Sequence, residues 1–261
     1  MTELQETIKE VRRKIITLAH ASKGPHVASA LSCADIITTL YFTKMKLAPW
    51  KERDIFILSK AHSAMALYSV LAQRGIIDNK ILRQYYVNNG VLPAHLDRFA
   101  AEGVEVSAGS LGHGFNMGLG MAYGFKLKKS SRKVYCLIGD GESQEGSIWE
   151  GAIFAPKLGL DNFTAIMDYN NLQGYGRARE ICQFEPVKEK WESFGWNVFK
   201  VDGHNPAQIK QALDADACQK PKMIIASTTK GKGVSFMEDQ LIWHYYIVTD
   251  EHKQKAMAEL K

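Results

Sequence analysis

Two continuous apolar runs, set one helix apart, dominate the hydrophobic pattern of this chain. Val134-Tyr135-Cys136-Leu137-Ile138 reads as a strand buried on both faces, and Phe163 to Met167 reads as a second. Between them, residues from about Ser143 to Leu158 suit a helix. The first run stops at Gly139-Asp140-Gly141 and the second at Asp168-Tyr169-Asn170-Asn171. Strand, helix and strand in this order form a parallel crossover unit. Both strands end in polar residues, and parallel α/β sheets bind ligands at those ends.

The flanking pattern extends the same architecture. Leu4, Ile8, Val11, Ile15 and Leu18 predict a helix over residues 2–20. Ala21 to Ser32 reads as a loop carrying glycine, serine and His26, and helix pattern resumes over Cys33 to Phe42. Asp54 to Ser59 predicts a short strand ended by Lys60-Ala61-His62, followed by a helix that closes at Gly75. A further short helix is expected over residues 79–88. Asn89 to Gly114 is long for a structureless connection, which marks it as a functional loop or a lid. Gly118 to Lys128 predicts a glycine-rich helix packed closely on its neighbour. Strands are expected over Asn197 to Val201 and Lys222 to Ser227, with a helix from Pro206 to Ala217 between them. The expected fold is a doubly wound α/β domain with a mostly parallel sheet. It runs over residues 1–261 as one unit, since no repeat or linker interrupts it.

Composition narrows the function classes. The chain has 261 residues, 46% of them hydrophobic, which is ample for one core. No apolar run approaches the ~20 residues of a membrane span, and acidic residues interrupt the first helix, so it does not read as a signal peptide. Cys33, Cys136, Cys182 and Cys218 form no CxxC pair, which fits free thiols and a cytoplasmic location. The net charge of +5 is mild and its lysines are scattered. An anionic small molecule accounts for it, and nucleic acid is not expected. Gly112-x-Gly114 and Gly118-x-Gly120 lack the third glycine of a dinucleotide fingerprint, and Lys230 to Gly233 lacks the Ser or Thr of a P-loop.

The chemistry lies at the two central strand ends. Asp140 offers a carboxylate, and Asn170, thirty residues on, offers an amide oxygen. A right-handed crossover sets these ends side by side, so both oxygens reach one ion. Hard oxygen donors suit Mg²⁺ or Ca²⁺, and Mg²⁺ completes its shell with phosphate and water. The glycines beside Asp140 admit a ligand close to the backbone. A helix starting near Ser143 would aim its N-terminus at the same place, which favours phosphate. These residues point to a divalent metal bridging the protein to a diphosphate.

GDG, about thirty residues, then NN resembles the thiamine-diphosphate motif, and GDGESQEGSIWEGA…LDNFTAIMDYNNLQ resembles the transketolase family, close to its separately encoded N-terminal subunits. The resemblance implies thiamine diphosphate held through Gly139, Asp140, Gly141 and Asn170, with Asp140, Asn170 and the Leu172 carbonyl on the metal. It assigns His26 (GPHVASALS), His62 (LSKAH), His95 (LPAHLD) and His244 (IWHYY) to the substrate channel, with His62 also at the cofactor. Several flanks differ from the family's, among them Tyr245 in place of a glycine. Gly109 and Leu111, in a segment similar to GPLG, would approach the aminopyrimidine through their backbone, while His113 stands where many relatives carry Gln. Glu145 and Glu150 match two glutamates of a carboxylate network between paired active sites; a solvated helix face that includes Glu142 is the alternative. The family's pyrimidine-binding domain, with the glutamate at N1′, is expected on a second polypeptide. What is implied is the N-terminal component of a heterotetrameric transketolase acting on sugar phosphates. A 1-deoxyxylulose-5-phosphate-synthase-like or 2-oxoacid-dehydrogenase-like component, or a non-catalytic regulatory homologue, stays open as an alternative.

Overall fold

The computed structural model describes residues 2–261. α1 (Glu3–Ser22), held at its start by a capping box between Thr2 and Gln5, is followed by α2 (Val27–Thr43). β1 (Ile55–Leu58) leads through α3 (Ala64–Gln73), the single turn α4 (Asn79–Leu82) and a long loop to α5 (His113–Leu127). The central unit is β2 (Val134–Gly139), α6 (Gly146–Lys157) and β3 (Phe163–Tyr169). α7 (Ala178–Ile181), α8 (Val187–Ser193), β4 (Asn197–Asp202), α9 (Pro206–Asp214), β5 (Lys222–Ser227) and α10 (Asp250–Glu259) complete the order.

The strands lie in the order β1-β2-β3-β5-β4, and every pairing is parallel. One face carries α1, α2, α3 and α9; the other carries α5, α6 and α8. The doubly wound architecture read from the pattern is therefore present. β2 and β3 are buried along nearly their whole length because helices cover both faces. On the α5 side the core is aromatic: Phe115 packs against Phe163, Trp191 and Trp196.

Four elements depart from the pattern. The expected loop from Ala21 to Ser32 shrinks to a turn, because α2 begins at Val27 with His26 as a left-handed N-cap at φ 71°. α2 is buried on nearly all sides, so it shows no apolar stripe, and its serines look like loop residues in sequence. The helix expected over residues 79–88 ends at Leu82, since Tyr86 N–H donates to the Leu92 carbonyl and turns the chain. α5 starts five residues before Gly118, at His113 after Gly112 at φ 84°. α6 starts at Gly146, not near Ser143, because Glu142 to Gln144 form a 3-10 turn. Glu142 imposes that turn. Its carboxylate is buried and accepts from Gly139 N–H at 3.1 Å, Gly112 N–H at 2.9 Å and the Ser59 hydroxyl. It does not lie on a solvated helix face, and the helix N-terminus is set back from the strand end.

The close packing expected of the glycine-rich helix is found at α5. A Cβ on Gly114 would stand 2.7–2.9 Å from Ser59, including its Cα, whereas one on Gly120 would meet nothing within 4 Å. Gly114→Ala is therefore expected to cost about 1–3 kcal/mol through overpacking. Gly120→Ala is expected to be neutral or stabilising by up to about 1 kcal/mol, because alanine is the better helix former. Urea denaturation of both variants checks the pair, and equal midpoints would refute the packing argument.

Candidate active site

The register sets Gly139 opposite Asp168, so the ends of β2 and β3 lie side by side as the crossover rule requires. Asp140 and Asn170 follow directly. Asp140 Oδ1 accepts from Gly141 N–H at 2.7 Å, and Oδ2 accepts from Asn171 N–H. Burial, with the nearby Asp168 carboxylate adding to it, pushes the Asp140 carboxyl up to about 6. Asn170 Oδ1 accepts from Leu172 N–H at 3.0 Å, while its Nδ2 donates to the Ser32 hydroxyl at 3.1 Å. Both residues open onto a cavity of about 470 Å³ whose wall also includes Gly139, Gly141 and Leu172.

Two buried lysines flank this floor. Lys60, at the end of β1, donates to Asp168 Oδ2 at 2.5 Å, and both groups are essentially without solvent. Asp168 also accepts from Ser32 at 2.7 Å and from Thr228. Burial works against both charges, but each outweighs it for the other: the Lys60 ammonium is held up and the Asp168 carboxyl down. Lys230, after β5, donates to the Leu172 carbonyl at 2.8 Å and to His244 Nδ1 at 2.6 Å. Burial, and then the positive Lys60, bring the Lys230 ammonium down to about 8.

The roof is made of histidines from four distant segments. The His26 ring centroid lies 5.2 Å from His62, 6.3 Å from His95 and 4.9 Å from His244. The left-handed backbone at His26 turns its ring inward, and its N–H donates to the His244 carbonyl at 2.9 Å. His62 Nε2 lies 2.9 Å from the Ser29 hydroxyl. Burial, then His95 and Lys230, lower His26 to about 4; burial and then Lys230 lower His244 to about 3; burial and Lys60 hold His62 well below its ordinary value. His26, His62 and His244 are therefore neutral bases at pH 7. His26 Nδ1 is buried with no hydrogen-bond partner.

Between pH 6.5 and pH 4 the unfolded chain binds protons at His26 and His244 that the folded chain does not, so stability falls as pH is lowered across that window. The thermal midpoint of His26→Gln is expected to fall less than that of the wild type between pH 6.5 and pH 4. Equal slopes in both proteins would contradict the burial of a neutral His26.

Gly109, Leu111 and Glu145 also reach the cavity, so every residue given a site role from the sequence lines it except Glu150. Glu150 sits on the exposed face of α6, one and a half turns beyond the rim. His113 is exposed and outside the cavity.

The profile of the family described as transketolase, thiamine diphosphate binding domain, matches residues 4–255. The chain belongs to the transketolase family. It is 41% identical, over 99% of its length and 96% of the relative's, to the 6-deoxy-6-sulfo-D-fructose transketolase subunit SqwG of Clostridium sp. (strain MSTE9). It is 38% identical, over 99% of its length and 96% of the relative's, to an apulose-4-phosphate transketolase subunit of Actinobacillus succinogenes. The solved transketolase of Campylobacter jejuni superposes with a TM-score of 0.86 at 30% identity, covering 99% of this chain and 42% of that one. The chain thus spans nearly all of the subunit relatives and about two-fifths of that solved enzyme.

Sequence reasoning missed several residues of this transketolase-family site: Lys60, Asp168, Lys230, and the buried Ser29 and Ser32. A signal existed. Asp168 interrupts an apolar strand and demands a counter-charge, since an isolated buried carboxylate is costly. Lys60 and Lys230 follow the C-terminal ends of β1 and β5, where such folds place ligand groups.

Proposed function

We propose that this chain is the diphosphate- and metal-holding component of a two-subunit transketolase that moves a two-carbon ketol unit from a ketose to an aldose, both sugar phosphates. The observation that carries the reading is the convergence, on one cavity, of a four-histidine roof with a floor of Asp140, Asn170, Leu172 and two buried lysines.

The donor set fits the groups the family implies. Asp140, Asn170 Oδ1 and the Leu172 carbonyl are hard oxygens on one wall, and the Leu172 carbonyl already accepts from a cation, Lys230. Among the described residues no three His, Cys, Asp or Glu side chains cluster as a metal cage. An ion here would keep few protein ligands and take phosphate and water for the rest, which is the habit of Mg²⁺, with Ca²⁺ as a substitute. The Lys230 ammonium offsets diphosphate charge beside it. Thiamine diphosphate, when bound, supplies the carbon nucleophile for ketol transfer. Gly109 and Leu111, which line the cavity, would hold its aminopyrimidine through their backbone. His26, His62, His95 and His244 bind sugar hydroxyls, and the neutral imidazole of His26 accepts a proton from one of them. Positioned acid–base groups of this kind contribute roughly 10²–10⁴-fold.

A partner polypeptide supplies the pyrimidine-binding domain. Relatives that this chain matches end to end are named as subunits. Leu241, Ile242, Tyr246 and Ile247, on the turn that carries His244, expose an apolar patch beside the cavity, and such patches mark association surfaces. Glu145 and Glu150, both exposed, suit a carboxylate network between two copies in a heterotetramer. The test is a ketol-transfer assay with Mg²⁺, thiamine diphosphate and a panel of ketose and aldose phosphates, on this chain alone and with the partner chain. Turnover is expected only with both. Full turnover by this chain alone would overturn the two-subunit reading, and none with both would overturn the transfer reading.

A further inference from the structure

One side chain at the cavity mouth has no task in the reading above. Tyr245 follows His244 directly, lines the cavity and is 55% exposed. Its ring centroid lies 4.5 Å from His244 and 5.5 Å from His26, both edge-on. Its hydroxyl stands over the backbone of Gly174: a Cβ placed there would lie 3.0 Å from the phenol oxygen and 3.3 Å from His244 Nε2. A side chain at 174 would make the phenol and the His244 ring yield by a few tenths of an ångström.

The turn that carries the ring is held from below. The turn Leu241–His244 is fixed by the His26 N–H on the His244 carbonyl, by Lys230 on His244 Nδ1, and by the Trp243 indole on the Phe236 carbonyl at 2.9 Å. Tyr175, 87% exposed, also lines the cavity, on the loop that follows Leu172. A fixed aromatic ring offers a flat apolar face and one hydroxyl at low entropic cost. A sugar's carbon chain presents C–H groups and hydroxyls to such a surface. The solvent-facing groups of the mouth on this side are therefore aromatic and phenolic, while the charged groups lie on the floor.

We propose that Tyr245 is a substrate-contacting, specificity-determining residue. Its ring narrows the mouth beside His26 and His244, and its phenol binds a hydroxyl of the sugar chain, holding the reacting end against the histidines. The inference rests on the sugar-transfer reading and adds to it the residue that chooses among sugars. Gly174 is the positioning residue that gives the phenol its place.

The experiment uses the assembled two-chain enzyme with Mg²⁺ and thiamine diphosphate. Xylulose 5-phosphate, fructose 6-phosphate and sedoheptulose 7-phosphate serve as donor probes. Tyr245→Gly is expected to raise KM for the best wild-type donor at least about fivefold, to change kcat less than KM, and to compress the differences in kcat/KM among the three donors. Tyr245→Phe removes only the hydroxyl and is expected to raise KM by about 2- to 10-fold, the worth of one neutral hydrogen bond. Gly174→Ala is expected to shift KM in the same direction as Tyr245→Gly. Cofactor affinity, read by calorimetry, is expected to match the wild type in all three variants. Wild-type turnover with KM for every donor unchanged in Tyr245→Gly would overturn the inference while leaving the transfer reading intact. Loss of cofactor affinity in parallel with activity would also overturn it, because it would mark a structural role. A wild-type complex that transfers no ketol unit from any donor would overturn both.

Discussion

Asp140→Ala is expected to weaken Mg²⁺-dependent binding of thiamine diphosphate by more than about 100-fold and to leave no measurable ketol transfer in the assembled enzyme. Losing a group that merely supports a metal ligand typically costs 10–100-fold, and Asp140 is the one carboxylate of the proposed set. Its environment shows what the charge is for. The carboxylate is 4% exposed, and its direct partners are two backbone N–H groups, from Gly141 and Asn171. Burial holds its proton affinity above that of an ordinary aspartate. A cation at this wall would offset that unfavourable charge, so folding and metal binding favour the same geometry. Asp140→Asn separates the charge from the hydrogen bonds, since one amide oxygen still accepts from the backbone; it is expected to lose the Mg²⁺ dependence as well. Asn170→Ala removes a neutral donor and is expected to lose less. Calorimetric titration of cofactor with and without Mg²⁺ measures all three. Wild-type affinity with full Mg²⁺ dependence in Asp140→Ala would end the metal assignment.

The largest effect on stability is expected at the Lys60–Asp168 pair. Lys60→Met is expected to cost about 3–5 kcal/mol, the usual loss when one partner of a buried ion pair is removed. Methionine keeps much of the volume, so the loss is electrostatic. Asp168 is left fully buried with the Ser32 and Thr228 hydroxyls and the Asn170 amide as its remaining partners. In the wild type Asp168 is depressed by its partner. Its stabilising contribution is therefore present above an unfolded value near 4 and is lost only as pH falls through the lower folded value. In Lys60→Met burial without the lysine reverses that shift. The deficit is then greatest at neutral pH and shrinks toward pH 4, where protonation of Asp168 relieves it. Adding Asp168→Asn to Lys60→Met is expected to recover part of the loss. Urea denaturation at pH 7 and pH 5 measures both variants. A cost under about 1 kcal/mol at pH 7, or one that grows on acidification, would show that the pair does not hold the strand ends together.

What the sequence determined by itself is what short-range pattern encodes. The β2–α6–β3 crossover was legible because two continuous apolar runs with a helix-length gap admit few other readings, and Gly139-Asp140-Gly141 and Asn170 mark its ligand-facing ends within forty residues. A mostly parallel sheet followed from the alternation of strands and helices, and the structure makes every pairing parallel. His26, His62, His95 and His244 were recognisable through short motifs, but no local pattern could state that their ring centroids come within 4.9 to 6.3 Å of one another. Tertiary structure decided that, by bringing four loop segments above one strand edge. It also decided that Ser29 and Ser32 belong to a helix, because α2 is buried on nearly every side and carries no amphipathic stripe. Glu142 looked like a surface acid and became a buried acceptor, because the backbone N–H groups it satisfies come from Gly112, thirty residues away, as well as from its own turn. Lys60 and Asp168 are 108 residues apart. Their pairing depends on the strand order β1-β2-β3, and the place of Lys230 depends on β5 inserting between β3 and β4. Strand order is set by how the helices cover both faces of the sheet, a property of the whole packed chain that no window of the sequence contains.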